Sequence, residues 1–171
     1  MLRSGPADGR VVGTLFRILV VDDNPANVHL LQQKGLSSIA HPFQLDWVKD
    51  GSEALDFLFR RDSHANAPRP DLVLMDINMP ILNGLEALRV IKGDAELRLI
   101  PVIMFSTSAE PDEVWQSYHA YANCYVQKPA SLECLVKLIG AIESFWMDFA
   151  ILPGRSVARQ TAEGQKQCDD S

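Results

Sequence analysis

Hydrophobic positions along the chain fall into short β-branched runs separated by stretches of helical periodicity. Phe16 to Val21 is a nearly continuous apolar run, suited to a strand buried on both faces, and it stops at Asp22-Asp23-Asn24-Pro25. Asn24 is a good helix N-cap and Pro25 fits the first helical position. A helix is therefore expected next, with Val28, Leu31 and Leu36 as its apolar points and Gly35 weakening its end. Phe43 to Val48 alternates as a second strand, and Ser52 opens a short helix carrying Ala54, Leu55, Leu58 and Phe59. The polar, Pro-containing segment 61–70 reads as a long loop. Leu72 to Met75 is a third buried strand ending at Asp76, and Pro80 and Asn83-Gly84 mark a loop before a helix with Leu85, Leu88 and Ile91. A fourth strand, 100–105, runs into Ser106-Thr107-Ser108. A helix over about 109–122, a short strand at 124–126, the Lys128-Pro129 turn and a last helix over about 131–149 complete the pattern.

Parallel strands need helical crossovers, so this repeated β-then-α order implies an α/β fold with helices on both faces of a parallel sheet. Five such units make a flavodoxin-like (βα)5 doubly wound sheet with strand order 2-1-3-4-5 and an extended C-terminal helix. The expected organisation is a polar N-terminal extension over 1–15, one domain over 16–152 and a mobile polar tail over 153–171. In such sheets function sits at the carboxyl ends of the strands, beside the switch point between the first and third.

Composition removes several function classes. Sixteen basic against 22 acidic residues give a net charge of −6, a poor match for a phosphate backbone, so no direct nucleic-acid binding is expected. No apolar run reaches membrane-spanning length, and the first ten residues lack the apolar core of a secretory signal, which points to the cytoplasm. Cys124, Cys134 and Cys168 form no CxxC pair, and His29, His41, His64 and His119 show no metal-ligand spacing. Trp47 and Trp115 read as packing residues.

The polar residues then fall where the topology asks for them. The first strand ends in Asp22 and Asp23, the third in Asp76, the fourth in Ser106, and Lys128 follows the fifth. Two carboxylates ~4 Å apart at an effective dielectric near 20 repel by up to about 4 kcal/mol, so the pocket either raises its pKa values or takes a cation. Oxygen-only ligands favour a hard cation, and Mg²⁺ suits Asp22, Asp23 and Asp76, with the main-chain carbonyl of Asn78 as a further oxygen. One Mg²⁺ and Lys128 would neutralise the three carboxylates. That balance fits phosphoryl transfer to a carboxylate: Asp76 as the nucleophile, with Lys128 and Ser106 meeting the phosphoryl oxygens.

These residues lie in segments that closely resemble the receiver domain of two-component response regulators: ILVVDDNPAN (18–27), DLVLMDINMPILNG (71–84), PVIMFSTSA (101–109) and YVQKP (125–129). The resemblance makes Asp76 the phosphoacceptor, Asp22 and Asp23 the acidic pair that binds Mg²⁺, and Ser106 the hydroxyl that follows the phosphoryl group. It likewise makes Lys128 the family's lysine and Tyr125 the aromatic switch before it. Asn83 departs from the Asp that usually precedes the glycine at this place. The long polar loop, the NCYVQKPASL segment (123–132) and the ending IESFWMDFAILP (142–153) resemble, more narrowly, single-domain regulators that partner bacterial and cyanobacterial phytochromes. The implied partner is a sensor histidine kinase, of the bacteriophytochrome kind.

The last helix carries more apolar surface than a core helix needs. Leu132, Leu135, Val136, Ile139 and Trp146 share one face, while Leu138, Ile142, Phe145 and Phe149 form an adjoining stripe. A helix of that length spans ~28 Å, against ~17–20 Å for a typical strand, so its end from Phe145 to Leu152 is expected to overhang the sheet. With the resemblance, this implies a homodimer through the fourth helix, fifth strand and fifth helix, with Leu138, Ile142, Phe145 and Phe149 at its interface. The segment beyond Pro153 is too short and polar for an output domain, so signalling is expected to pass through protein contacts. The resemblance also allows a phosphorelay intermediate. Two further readings are an unphosphorylated interaction module, which the complete residue set opposes, and a haloacid-dehalogenase-like Mg-dependent phosphatase. The phosphatase would need Asp-x-Asp after the first strand, where Asp22-Asp23 stands.

Overall fold

The computed structural model describes residues 15–35 and 41–153. Most of the two polar extensions, together with Leu36 and Cys168, lies outside the described residues. The strands are β1 (Phe16–Val21), β2 (Phe43–Val48), β3 (Leu72–Met75), β4 (Val102–Ser106) and β5 (Cys124–Gln127). They form one parallel sheet in the order β2-β1-β3-β4-β5. The helices are α1 (Pro25–Leu30), α2 (Gly51–Phe59), α3 (Gly84–Gly93), α4 (Pro111–His119) and α5 (Leu132–Glu143).

Alternation along the strands divides the core into two apolar clusters. Leu19, Val21, Val73, Met75 and Met104 pack with Phe57 and Leu58 of α2 and Leu88 and Ile91 of α3. Ile18, Val20, Leu74 and Phe105 pack on the other face with Val28 of α1 and Leu135 and Ile139 of α5. Helix starts follow local chemistry. Asn24 caps α1 by accepting from the Ala26 amide, and Asn83 closes a capping box with Glu86 at the start of α3. An Asn at position 83 therefore does the capping work that Asp would. Asn123 Oδ1 holds the start of β5 in place, accepting from Val102 N at 3.0 Å and Lys92 Nζ at 2.8 Å.

The last helix departs from the regular one expected. α5 ends at Glu143 and continues as a π-helical segment, Ser144–Phe149, closed by a bond from Ala150 N to Phe145 O. The wider turn changes the phase of the side chains. Trp146 and Met147 face the second cluster, while Phe145 and Phe149 are exposed. The chain then folds back far enough to bury Leu152, so the overhang expected through Leu152 is shorter than anticipated. His41, just before β2, lies 2.9 Å from Glu143 and 3.0 Å from Asp148 and ties this end to the sheet edge.

Two tryptophans correct the packing expectation. Trp115 is 64% exposed and stacks on His119, because α4 turns Ser117 inward and Trp115, two positions away, lies on the opposite side of the helix. Trp47 is half-exposed and serves the end of β1 instead, as follows.

Candidate functional site

Sheet register sets the site. Val21 pairs with Met75, and Met75 with Met104, so Asp22 and Asp76 both stand one step beyond the last paired residues of neighbouring strands. Asp22 N donates to Val48 O and Asp76 N to Val21 O, which continues the ladder to the two functional residues. Carboxylate oxygens of Asp22, Asp23 and Asp76 all lie within 4.8 Å of one another, with Asp22 and Asp76 buried and Asp23 exposed.

Each buried carboxylate has a defined set of donors. Asp22 accepts from Asn24 N at 2.9 Å, from Asn27 Nδ2 at 3.2 Å and from Lys128 Nζ at 2.7 Å. Its main-chain carbonyl accepts from the Trp47 indole at 2.8 Å. Asp76 accepts from Ile77 N at 2.8 Å, and its other oxygen lies 3.0 Å from Lys128 Nζ. One ammonium thus bridges two carboxylates while sitting 5.6 Å from the Phe105 ring centroid. Burial pushes the Asp76 carboxyl above its ordinary value, with Asp22 adding to the effect and Lys128 and the Ile77 amide opposing it.

Ser106 is wholly buried at the end of β4, and its carbonyl accepts from Lys128 N at 2.7 Å, tying lysine and serine strand ends together. Tyr125, paired with Met104 in the register, is packed against the first cluster and donates its hydroxyl to Ser108 O at 3.0 Å. Burial raises the Tyr125 phenol, and the nearby Glu113 carboxylate contributes. Asn78 is exposed in the loop after Asp76, between buried Ile77 and Met79. Asp22, Asp23, Asp76 and Lys128 therefore converge, with Ser106 at the adjoining end of β4 and Tyr125 two register steps back on β5.

Leu138, Ile142, Phe145 and Phe149 belong to the last helix and its extension. Leu138 and Ile142 pack half-buried against the second cluster, while Phe145 is 56% and Phe149 76% exposed. A cavity of about 490 Å³ lined by Arg69, Asp71, Glu96, Ile100 and Leu152 opens at the other end of the sheet, beside the starts of β3 and β4.

Three supports escaped the sequence reading. Asn27 and Trp47 hold Asp22 from other elements, and no local pattern marks either. Gly84 reads as a loop residue, yet a Cβ there would lie 1.9 Å from the Asp76 carbonyl oxygen.

The donor set suits a divalent cation. Its ligand atoms are hard oxygens from three carboxylates, one of them open to solvent, and a single ammonium does not balance their charge. No helix among the described residues is long and apolar enough to cross a membrane.

Comparisons with known proteins agree with this geometry. Residues 18–140 match the model of the response regulator receiver domain. The response regulator Rcp1 of Synechocystis sp. is 39% identical over 137 residues, covering 80% of this chain and 92% of that protein. The phosphorylated cyanobacterial phytochrome response regulator RcpA superposes with a TM-score of 0.77 at 40% identity, covering 82% of this chain and 99% of that one. The Mn(2+)-bound form of Rcp1 gives 0.75 at 38% identity, with 81% and 99% covered.

Proposed function

The chain belongs to the response regulator receiver domain family, and on that premise we propose that a sensor histidine kinase phosphorylates it on Asp76 and that it signals onward through protein contacts. The observation that carries the reading is Lys128 Nζ bridging Asp22 at 2.7 Å and Asp76 at 3.0 Å beside the exposed Asp23 carboxylate. Members of this family are signalling proteins rather than enzymes in the usual sense, and the chemistry here is limited to gain and loss of one phosphoryl group. An Asp76 oxygen attacks phosphorus, the P–N bond to the kinase histidine breaks, and its electron pair stays on the imidazole nitrogen. Lys128 meets the charge on the phosphoryl oxygens, and the Ser106 hydroxyl donates to one of them.

The proposed cation is Mg²⁺, which Asp22, Asp23, Asp76 and the main-chain carbonyl of Asn78 would hold. When bound it supplies positive charge that lets Asp76 act as an anion and neutralises the phosphoryl oxygens. The likeness to the cyanobacterial phytochrome response regulator RcpA supports a kinase of the phytochrome type. The reading is tested by incubation with an autophosphorylated bacteriophytochrome kinase. Label is expected on the wild type and not on Asp76→Asn, and equal labelling of both would refute it.

Phosphorylation is read by Ser106 moving toward the new oxygens and Tyr125 turning into the space it leaves, a two-state element biased by a local change of charge. Phe at position 125 keeps the ring and is expected to keep the switch. Tyr125→Ala is expected to weaken partner binding on phosphorylation by about tenfold, ~1.4 kcal/mol, and unchanged binding would contradict the role.

The proposed output surface includes a homodimer through α4, β5 and α5. Phe145 and Phe149 supply its exposed apolar centre, and Leu138 and Ile142 line the stripe beneath. Sedimentation at micromolar concentration is expected to show a species of twice 19.0 kDa, whereas the monomer alone, with and without a phosphoryl mimic, would exclude it.

A further inference from the structure

His41 meets two carboxylates at once. Its Nδ1 lies 2.9 Å from Glu143 Oε1 and its Nε2 3.0 Å from Asp148 Oδ1, while its main-chain N donates to Glu143 Oε1 at 3.2 Å. A neutral imidazole has one N–H and one lone pair, so it could donate to only one carboxylate and would turn the lone pair on the other. Hydrogen-bond length on both sides therefore calls for the imidazolium, which donates from both nitrogens. The other charged side chains described on α5, β1 and β2 are engaged elsewhere. Glu133 pairs with Lys137 at 2.7 Å, and Gln44 takes both Arg17, at 2.8 Å, and Asp46, at 3.3 Å.

The spacing of the two carboxylates matches the irregular end of the last helix. Glu143 closes α5, and Asp148 lies five residues on, within the π-helical segment Ser144–Phe149. An α-helix turns about 100° per residue and would set them about 140° apart around its axis. The i→i+5 turn of a π-helix brings residues five apart onto one side, where a single ring can meet both. We infer that protonated His41 is a clamp that holds this end in its π-helical turn and thereby sets how Phe145 and Phe149 are presented to a second copy of this chain. The part concerning the second copy rests on the homodimer proposed above, and the clamp itself does not. Loss of the proton releases one carboxylate, the turn is free to tighten toward the α-helical form, and Trp146 and Phe149 rotate with it. The clamp is therefore closed in mild acid and opens as pH rises through the histidine range. The His41 ring and Asp148 are 40% and 44% exposed, so water and salt screen the pair and the control is severalfold rather than all-or-none. His41 precedes β2, at the opposite end of the sheet from Asp76, which keeps this control apart from the phosphorylation chemistry.

Fluorine NMR of 5-fluorotryptophan protein, read beside sedimentation, separates the clamp from the association it controls. The tryptophans are Trp47, Trp115 and Trp146, and Trp47→Phe, Trp115→Phe and Trp146→Phe assign their resonances. Between about pH 6 and about pH 8.5 the wild-type Trp146 resonance is expected to shift, and self-association to weaken about fivefold. In Asp148→Asn the amide donates to Nε2 of a neutral imidazole, so the clamp is expected to stay closed and both pH dependences to vanish. His41→Gln is expected to show at both pH values the Trp146 resonance and the weaker association of the wild type in base. A wild-type Trp146 resonance that ignores pH would overturn the clamp, as would an equal pH response in Asp148→Asn. A Trp146 response with unchanged association would overturn its control of the interface. A wild type that stays monomeric at pH 6 would refute the homodimer, while the Trp146 resonance still decides the clamp.

Discussion

Gly84→Ala is expected to lower the protein's stability sharply and to abolish its phosphorylation. A Cβ at position 84 would stand 1.9 Å from the Asp76 carbonyl oxygen, 2.9 Å from its carbonyl carbon and 3.0 Å from Ile77 Cα. All three are backbone atoms, so no side chain can swing aside. Nor can the backbone retreat cheaply: Gly84 N is bonded to Ile77 O at 2.9 Å and Asp76 N to Val21 O at 2.9 Å. Overpacking of a core by an added methylene costs about 1–3 kcal/mol, and a clash with fixed backbone belongs at or above the top of that range. With a urea m-value of ~1–3 kcal/mol/M, the midpoint should fall by at least about 1 M. Gly140→Ala is the internal control. Nothing lies within 4 Å of its added Cβ, and a helix-interior Gly→Ala change should stabilise by about 0.5–1 kcal/mol. Equal midpoints for wild type and Gly84→Ala would show that the close approach of loop and helix start is wrong.

Lys128→Met removes the cation that two buried carboxylates share. Breaking a buried ion pair by deleting one partner costs about 3–5 kcal/mol, although access through exposed Asp23 and protonation of Asp76 should reduce this to roughly 2 kcal/mol in EDTA. The loss should depend on pH with a definite sign. Burial already raises the Asp76 carboxyl, and without Lys128 it rises further. A carboxyl whose folded-state pKa is raised favours folding while protonated. That contribution is present below the unfolded value near 3.8 and is lost as pH rises through the folded value. The deficit of Lys128→Met relative to wild type is therefore smallest in acid and largest at neutral pH. Mg²⁺ should narrow it, because a pocket that has lost the Lys128 charge binds the cation more tightly, and a tenfold tighter Kd at saturating Mg²⁺ returns ~1.4 kcal/mol to the variant relative to wild type. Thermal melts at several pH values, with EDTA and with Mg²⁺, check all three points. A variant as stable as wild type at pH 7 in EDTA would contradict the bridging role.

Much of the architecture was legible because β1, β3 and β4 are each a short apolar run that stops at a polar residue. Phe16–Val21 stops at Asp22, Leu72–Met75 stops at Asp76, and in a parallel sheet such stops fall on one edge. The acidic trio could be placed together from topology alone, since neighbouring strands lie only ~4.8 Å apart. What stayed hidden depends on contacts between distant elements. Trp47 looks like an ordinary strand aromatic until the register sets its indole at the Asp22 carbonyl. Gly84 looks like a turn glycine until the loop closes on the Asp76 backbone. The π-helical segment Ser144–Phe149 has no Pro or Gly to announce it, and it follows from where Trp146 and Met147 find room against the sheet. Helical phase places Trp146 against the sheet and leaves Phe145 and Phe149 outside it, as found, but it also assigns Leu132 to the sheet-facing side, where that side chain is 44% exposed.

The central claim is that Asp76 accepts a phosphoryl group in a pocket completed by a divalent cation. Intact mass after incubation with acetyl phosphate and Mg²⁺ tests it most directly. The wild type should gain about 80 Da, the mass of one phosphoryl group, and both EDTA and Asp76→Asn should remove that gain. The same gain on Asp76→Asn, at the same rate, would place the phosphoryl group elsewhere and contradict the account.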